Sequence, residues 1–405
     1  MKLLRSERFP AFLLLGAAVL GLLVANLPFG GAVIEASHAH LAIPGTGLDL
    51  SIAHWVSDFL LAIFFFGAAI ELVYEITSGQ LNSVKRALTP AIAAAGGVIV
   101  PIAIYLLIAG HDPATAGGWP VPTATDIAFA LGVLAMFGKG LPSKVRVFLL
   151  ALAIIDDIVG IIFIAVLFAH DLDLGSLAIA LVLVIAFAVV SRYLNPRNRA
   201  VLVPIMIVLG LGAWAFTYLG GIHATIAGVL LGVAIRQNTG MHARHVLEPW
   251  INGLILPVFA FFAALVMIPQ VSVSELSPAL WGILVALPVG KIIGISAAGW
   301  LAVRLNRTKG EEPAIHFADI VAAGALGGIG FTVSLLMANL AFADDPAIKD
   351  QAILGVLGGS LIALALSAVL VSWRAAHHRR LQREGTEPAE PEVHHAPDEI
   401  HGQLE

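Results

Sequence analysis

Residues 151–162 read ALAIIDDIVGII, and this stretch decides how the chain must be built. Asp156 and Asp157 are the only charged residues between Phe148 and His170, a run long enough to cross a bilayer. A carboxylate at the centre of a membrane helix costs roughly 2.5–3.5 kcal/mol on insertion scales. The stretch therefore predicts a membrane helix whose two carboxyl groups are compensated by partners elsewhere in the chain.

The composition indicates a membrane protein. Of 405 residues, 59% are hydrophobic and only 12% are charged, against about 25% charged in a soluble domain. A net charge of -5 gives no broad basic surface, so nucleic acid is not an expected partner. The absence of cysteine excludes disulfides, thiol catalysis and thiolate metal sites. We expect an all-α polytopic protein embedded in the lipid bilayer.

Twelve apolar runs are candidates for transmembrane helices, which we number as spans one to twelve. They lie at 10–29, 54–77, 88–110, 121–138, 145–169, 176–192, 200–219, 221–236, 248–268, 278–303, 319–342 and 352–374. Residues 1–374 are thus assigned to one membrane domain. Residues 375–405 are polar, acidic and proline-bearing, which predicts a disordered cytoplasmic tail.

The basic residues support this count, because lysine and arginine concentrate on the cytoplasmic side of a membrane. They cluster before span one and after spans two, four, six, eight, ten and twelve, whereas the opposite loops hold only Lys349. All these clusters fall on one side of the membrane. Twelve spans with both termini in the cytoplasm are therefore predicted.

Span four contains VPTATDIAFALG, residues 121–132. Pro120 and Pro122 lie near its start, and proline removes a backbone donor and disturbs the preceding turn. Thr125 and Asp126 then lie beside backbone groups without internal partners, so the span is expected to be helical only in part. A kinked helix capped by Asp126 explains the pattern without a function, but capping and ion binding are compatible at a broken helix.

Span eleven carries GALGGIGFTVS, residues 324–334, with four glycines in seven positions. Glycine costs about 1 kcal/mol relative to alanine inside a helix, so the cluster indicates close packing or an unwound segment. Span four is the middle span of the group formed by spans three to five, and span eleven is the middle span of the group formed by spans ten to twelve. The two groups run in opposite directions across the membrane. Paired interrupted spans indicate inverted repeats, with two discontinuous helices crossing at the midplane around a transport site.

Lys291 lies near the middle of span ten, too far from either face to reach water easily. A carboxylate partner is therefore expected. Asp156 and Asp157 are about 100° apart on one helix, so one can face Lys291 while the other faces a water-filled funnel. A purely structural ion pair stays open, as does a role in moving protons, because a buried lysine can release its proton.

Other titratable residues lie near the ends of the spans. His223, at the outer end of span eight, is either a packed or capping residue or a pH sensor, since histidine titrates near neutrality. Glu71 and Glu75 in span two, and His245 and Glu248 at the start of span nine, are by default solvated interface charges. A pH response is the alternative interpretation of all of them.

The oxygen atoms of this set suit hard cations. Sodium and lithium ions prefer carboxylate, hydroxyl, carbonyl and water oxygens. Two neighbouring carboxyl groups such as Asp156 and Asp157 cannot both ionise freely at low dielectric, so the site holds protons or a cation but not both. Competition for one site that opens alternately to each side of the membrane is sufficient for antiport.

Six stretches together resemble the NhaA family of bacterial Na+/H+ antiporters. In chain order they are VPTATDIAFALGVLAMFG, ALAIIDDIVGII, GIHATIAGVLLG, EPWINGLILPVFAF, LPVGKIIG and GALGGIGFTVSLLMANLAF. The resemblance implies that Asp157 is the principal ligand of the transported cation and that Asp156, the second carboxylate of the site, is the partner of Lys291. It also implies that Thr125 and Asp126 stabilise the crossing of the broken helices.

The same resemblance implies how the protein acts. It implies electrogenic exchange of two H+ for one Na+ or Li+, with no cofactor besides the transported ions. The expected setting is sodium and pH homeostasis at the bacterial plasma (inner) membrane. His223 matches a position tied to pH response, and family members are homodimers, partly through a hairpin in the first outer loop.

The chain departs from the family at the cytoplasmic entrance. Between the two glutamates of span two, where the family usually has a basic pair, this chain has Val73 and Tyr74. At the start of span nine, where the family often has a glutamate and histidines, it has Arg244, His245 and Glu248. Both departures lie in the entrance that the family is proposed to use for pH sensing.

Other classes of protein fit the sequence less well. An intramembrane aspartyl protease needs its two aspartates on separate helices and leaves Lys291 without a role. A cation channel does not need competing carboxylates. A sodium-coupled solute symporter is the alternative function, but the sequence shows no further polar cluster for an organic substrate. We therefore expect a secondary transporter and not an enzyme.

Overall fold

A computed structural model describes residues 8–79, 81–305 and 315–384. These ranges are mostly helical, as lipid requires, because a helix satisfies its own backbone polar groups. The first helices are α1 (Arg8–Ala25), α2 (Gly30–Ser37), α3 (Ile52–Thr77), α4 (Val84–Ala109), α5 (Pro113–Ala116), α6 (Ile127–Phe137), α7 (Ser143–Leu167) and α8 (Leu174–Tyr193). The others are α9 (Arg199–Leu219), α10 (Thr225–Ala234), α11 (Gln237–Ala263), α12 (Pro278–Leu305), α13 (Phe317–Gly327), α14 (Phe331–Ala341) and α15 (Pro346–Arg383).

Eight helices in the described ranges are long and apolar enough to cross a membrane. They are α3, α4, α7, α8, α9, α11, α12 and α15. Three pairs bent at a short break raise the number to as many as 11 if each pair is one span. The bends measure 114° between α1 and α2, 49° between Pro113–Thr123 and α6, and 49° between α13 and α14. The multi-pass helical fold is confirmed, and the count of twelve stays a prediction.

The helix bounds differ most from the predicted spans where polar turns extend a helix. Span nine was predicted from residue 248, but α11 begins at Gln237. Span twelve was predicted to end at 374, but α15 continues to Arg383. The structure thus corrects the start of the predicted disordered tail, because polar side chains do not interrupt a helix where no glycine or proline intervenes. Residues 385–405 of that tail lie outside the described residues.

A β-hairpin lies in the loop between α2 and α3, where the family resemblance implies one. Strands β1 (His40–Ile43) and β2 (Leu48–Ser51) pair antiparallel, with His40 opposite Ser51. Gly45 and Gly47 in the connecting turn have positive φ angles of 82° and 74°, which glycine adopts without a steric penalty.

Small residues bring several helices into close contact, as is usual in membrane proteins. A Cβ atom on Gly96 of α4 would lie 2.3 Å from the carbonyl oxygen of Gly294 in α12. A Cβ atom on Gly228 of α10 would lie 2.0 Å from the carbonyl oxygen of Ala62 in α3. The first approach fixes α12, which carries the fully buried Lys291, against α4, and the second fixes α10 against α3.

Candidate functional site

The chain leaves helical geometry just before α6. A short 3-10 turn, Val121–Thr123, is followed by extended backbone at Ala124 and Asp126. The proline ring at Pro122 leaves no N–H for a continuous helix. Asp126 Oδ1 accepts a hydrogen bond of 2.9 Å from the N–H of Phe129, so Asp126 caps α6.

This segment touches the turn between α13 and α14. The N–H of Asp126 donates to the carbonyl oxygen of Ile329 at 2.6 Å. The carboxylate Oδ2 of Asp126 accepts from Thr332 twice, from the hydroxyl at 2.6 Å and from the N–H at 3.2 Å. A Cβ atom on Gly330 would lie 3.1 Å from the carbonyl oxygen of Ala124, so a side chain there would crowd this contact. Asp126 therefore joins the two bent pairs through its backbone and its side chain.

Asp156 of α7 lies in the centre of the molecule. Its Oδ2 atom accepts from Lys291 Nζ at 2.5 Å and from the Thr125 hydroxyl at 2.7 Å. The side chains of Asp156 and Lys291 are both 0% exposed. The same Thr125 hydroxyl lies 2.8 Å from the carbonyl oxygen of Gly327, the last residue of α13. Asp156 Oδ1 is buried without a hydrogen-bond partner in the part of the chain described.

Lys291 follows a local change in helix geometry. Residues Ala286–Gly290 form a π-helical turn inside α12, and Pro288 in this turn has no backbone N–H. Such π turns are frequent at functional sites because they rotate the following residues relative to a regular helix. Here the turn comes directly before the lysine that reaches Asp156.

Asp157 faces a different environment from Asp156. It is partly exposed and lines a cavity of about 420 Å³. The polar lining of this cavity includes Asp157, Thr125, Asp126, Thr332, Glu71 and Arg244. The two adjacent aspartates point in different directions, as the rotation of about 100° per helical residue predicts: Asp156 faces Lys291, and Asp157 faces the cavity.

The other end of this cavity is lined by charged groups from α3 and α11. Arg244 Nη2 donates to Glu71 Oε2 at 2.6 Å, and Glu248 also lines the cavity. His245 Nδ1 lies 3.9 Å from Glu248 Oε2, a long contact. Glu75 is buried at 9% exposure, one helical turn after Glu71. Glu71 and Glu248 thus line the same cavity, whereas the burial of Glu75 and the ion pair with Arg244 were not predicted.

His223 belongs to a separate cluster. Its Nε2 atom lies 3.1 Å from Asp58 Oδ1, and its Nδ1 atom lies 2.8 Å from the Thr225 hydroxyl. Trp214 Nε1 donates to the carbonyl oxygen of Asp58 at 3.1 Å. Asp58 is 6% exposed. Asp58 was not among the predicted site residues, although an aspartate within an apolar span is a signal that could have identified it.

A second cavity lies at the far ends of the bent pairs. It measures about 630 Å³, and its lining includes Trp119, Pro120, Phe342, Asp344 and Asp345. Pro120 precedes the 3-10 turn before α6, and Phe342 follows α14. One cavity therefore reaches Asp126 and Thr332 at the crossing, and the other begins at the opposite ends of the same elements.

The site offers oxygen ligands and no preformed transition-metal centre. Within the described ranges, no group of three or more His, Cys, Asp or Glu residues is arranged to hold a metal ion. Carboxylates and hydroxyls of Asp157, Asp126, Thr125 and Thr332 line one cavity. Such oxygens suit weakly held hard cations, whereas soft or imidazole ligands would favour zinc or copper.

These features define a polytopic membrane protein with a charged site inside its membrane region. Comparisons with known proteins place it further. The sequence profile described as Na+/H+ antiporter 1 matches residues 1–371. The chain therefore belongs to the NhaA family of Na+/H+ antiporters, whose members are named as transporters and not as enzymes.

Individual relatives agree with this assignment. The chain is 53% identical over 386 residues to Na(+)/H(+) antiporter NhaA 2 of Clavibacter michiganensis subsp. michiganensis, covering 93% of each protein. It is 45% identical over 376 residues to Na(+)/H(+) antiporter NhaA of Tropheryma whipplei, covering 92% of this chain and 95% of the relative. The solved structure of the sodium proton antiporter MjNhaP1 from Methanocaldococcus jannaschii shares the fold, with a TM-score of 0.50 at 14% identity, covering 90% of this chain and 91% of that one.

Proposed function

We propose that this protein exchanges Na+ or Li+ for H+ by an electrogenic mechanism that moves two protons per cation. The proposal rests on the different environments of Asp156 and Asp157. Asp156 Oδ2 accepts a hydrogen bond of 2.5 Å from Lys291 Nζ, and both side chains are fully buried, whereas Asp157 lines the cavity. Asp157 is thus the carboxylate that a cation entering the cavity meets.

Competition between protons and the cation supplies the coupling. Asp157 binds either a proton or, with oxygens such as those of Thr125, Asp126 and Thr332, a cation. The Asp156 and Lys291 pair is the second site whose charge responds to a proton. Loading the cation displaces the protons, and reprotonation releases the cation, without any resident cofactor.

Alternating access requires openings on both sides of the site. The two cavities of about 420 Å³ and 630 Å³ at opposite ends of the bent pairs support such a route. A change in the angle at the breaks before α6 and before α14 would open one cavity and close the other.

We propose the following membrane arrangement for this activity. The eleven spans counted with the bent pairs and the short apolar helix Thr225–Ala234 make twelve. The repeats formed by spans three to five and ten to twelve are inverted, and the discontinuous spans four and eleven cross at the midplane. The protein is a homodimer in the bacterial plasma (inner) membrane, with both termini cytoplasmic and the hairpin of β1 and β2 outside. The cavity that Asp157 lines then opens to the cytoplasm.

The regulation that we propose is a pH response at two places. At the cytoplasmic cavity, the groups are Glu71, Glu75, His245 and Glu248, together with the unpredicted Arg244. On the outer side, it is His223, whose ring lies 3.1 Å from Asp58. The transporter serves sodium and pH homeostasis.

Purified protein in liposomes tests the exchange. With an imposed pH gradient, we expect Na+ or Li+ to cause proton movement that K+ does not cause, and Asp157→Asn to abolish it. Asp171→Asn is the matched control, because Asp171 is an exposed loop residue in left-handed conformation, which asparagine tolerates. Wild-type protein that moves no protons between pH 6 and 9 would contradict antiport.

The charge stoichiometry has a test of its own. Two protons per monovalent cation move one net charge, so the exchange rate should respond to membrane potential. Clamping the potential with valinomycin and K+ should therefore change the rate at a constant pH gradient. An unaltered rate would refute two-for-one coupling while leaving neutral exchange intact.

A further inference from the structure

The last helix extends far beyond the thickness of a membrane. Its 38 residues measure about 57 Å at 1.5 Å per residue, whereas a hydrocarbon core is about 30 Å thick. Yet Arg374 and His378, in its last turns, are only 5% and 1% exposed. Charged and polar side chains at a helix end are rarely so buried unless they have partners.

The partner is Asp319 in the first turn of α13, which is 1% exposed. Arg374 Nε donates to Asp319 Oδ1 at 2.8 Å. His378 Nε2 lies 3.1 Å from Asp319 Oδ1 and 3.2 Å from Oδ2. This cluster fastens the end of α15 to the start of the element that leads into the crossing.

One nitrogen atom in this cluster has contacts that require different hydrogen positions. His378 Nε2 also lies 3.1 Å from Arg374 Nη2. A guanidinium group only donates hydrogen bonds, so this contact needs a lone pair on Nε2. The contacts with the Asp319 carboxylate need a hydrogen on the same nitrogen. One ring nitrogen cannot do both. The protonated ring always has a hydrogen on Nε2 for Asp319, whereas the neutral ring can shift its hydrogen to Nδ1 and offer Arg374 a lone pair.

Other titratable and charged groups lie near this cluster. The ring centroid of His316, just before α13, lies 6.3 Å from that of His378, and the ring of His377 lies 5.9 Å from it. Arg379 Nη1 donates to the carbonyl oxygen of Lys139 at 2.9 Å, in the segment after α6. The last turns of α15 thus hold both α13 and the end of α6, one from each of the two helix pairs bent by 49°.

We propose that Asp319, Arg374 and His378 form a proton-operated latch between the last helix and α13. Protonated His378 donates to Asp319, so two cationic side chains hold one carboxylate and α15 is fastened to α13. Neutral His378 with its hydrogen on Nδ1 presents the Nε2 lone pair to Arg374 and no longer donates to Asp319, so the attachment loosens. The path to the site is short in sequence, because α13 ends at Gly327, whose carbonyl lies 2.8 Å from the Thr125 hydroxyl.

The natural absence of cysteine allows a direct measurement of this attachment. Spin labels at Phe317→Cys and Ala376→Cys, both at exposed positions, would report the distance between α13 and α15 in liposomes. We expect a narrow distance distribution at pH 5.5 that broadens or shifts by pH 8.5. In His378→Gln, whose amide supplies a donor and an acceptor but does not titrate, the distribution should be the same at both pH values.

His377→Gln is the matched control, because His377 is exposed and immediately precedes His378 in the same helix. It should keep the pH dependence of the wild type. A wild-type distribution independent of pH, a pH dependence that survives in His378→Gln, or one that disappears in His377→Gln would each overturn the latch. Size-exclusion profiles matching the wild type show that the variants are folded.

The effect on transport rests on the antiport function proposed above, whereas the distance measurement does not. Attachment of α13 to α15 should slow ion exchange, so the exchange rate of the wild type should be lower at pH 6 than at pH 8. His378→Gln should change the ratio of these two rates at least threefold, and His377→Gln should not. If the wild type carries out no exchange, the antiport proposal fails while the distances still test the latch. A rate ratio in His378→Gln equal to that of the wild type would overturn its coupling to transport.

Discussion

Replacing Lys291 by methionine tests how much the buried ion pair with Asp156 contributes to the stability of the protein. The methionine side chain keeps most of the length of lysine but removes the ammonium group that lies 2.5 Å from Asp156 Oδ2. The Thr125 hydroxyl, at 2.7 Å, would be the remaining partner of that oxygen. Asp156 Oδ1 already has no hydrogen-bond partner among the described residues, so the carboxylate would be left largely uncompensated.

The expected cost is large because both side chains are completely buried. Removing one partner of a buried pair costs about 3–5 kcal/mol, whereas replacing both partners by neutral groups is often harmless. Lys291→Met should therefore lower stability by about 3–5 kcal/mol, and Asp156→Asn in the same chain should restore most of it. The loss of stability in Lys291→Met should be smaller at low pH, because a proton on Asp156 removes the uncompensated charge.

Thermal unfolding in detergent, followed by the fluorescence of the seven tryptophans, measures this cycle. Lys291→Met should unfold at a lower temperature than the wild type, more so at pH 8 than at pH 6, and the double variant should unfold near the wild type. Ser296→Ala is the control, since Ser296 lies on the same helix at 6% exposure and should be nearly neutral. A double variant as unstable as Lys291→Met would refute the reasoning, because the loss would then come from packing.

Two further substitutions test the helix contacts by the same unfolding assay. Gly228→Ala should destabilise by about 1–3 kcal/mol, because its Cβ would lie 2.0 Å from the carbonyl oxygen of Ala62, whereas Gly16→Ala, with nothing within 4 Å, should not. Equal unfolding temperatures for the two variants would contradict the close approach. Thr332→Val should cost about 1–3 kcal/mol, because it removes the 2.6 Å hydrogen bond to Asp126, and Thr332→Ser should retain most of the stability. A serine variant as unstable as the valine variant would show that the methyl group matters and not the hydroxyl.

The sequence predicts those features that depend on composition and on charge compensation. Asp156 and Lys291 are buried in apolar spans, so each needs an opposite charge, and few candidates exist. The interruption before α6 follows from Pro120 and Pro122, because proline acts on its own local backbone. The apolar runs locate most spans for the same reason: lipid imposes a requirement on each segment separately.

Contacts that ordinary polar residues and loop residues make with distant segments could not be predicted. Thr332 is an ordinary polar residue in sequence, and only the approach of α14 to Asp126 gives it a partner. Arg244 is part of a basic loop in sequence, and the packing of α11 on α3 brings it to Glu71. The polar turns after 374 look like a tail, because their burial comes from Asp319, which lies more than fifty residues earlier in the chain.

The Thr125 hydroxyl has one hydrogen atom and two acceptors within reach, the carboxylate of Asp156 at 2.7 Å and the carbonyl of Gly327 at 2.8 Å. While Asp156 is ionised, the two acceptors compete for that hydrogen. Once Asp156 holds a proton, the acid supplies its own hydrogen to the Thr125 oxygen, and the hydroxyl is free to donate to Gly327. The orientation of the Thr125 O–H bond therefore depends on the charge of Asp156, and it determines whether the carbonyl oxygen at the end of α13 receives a hydrogen bond.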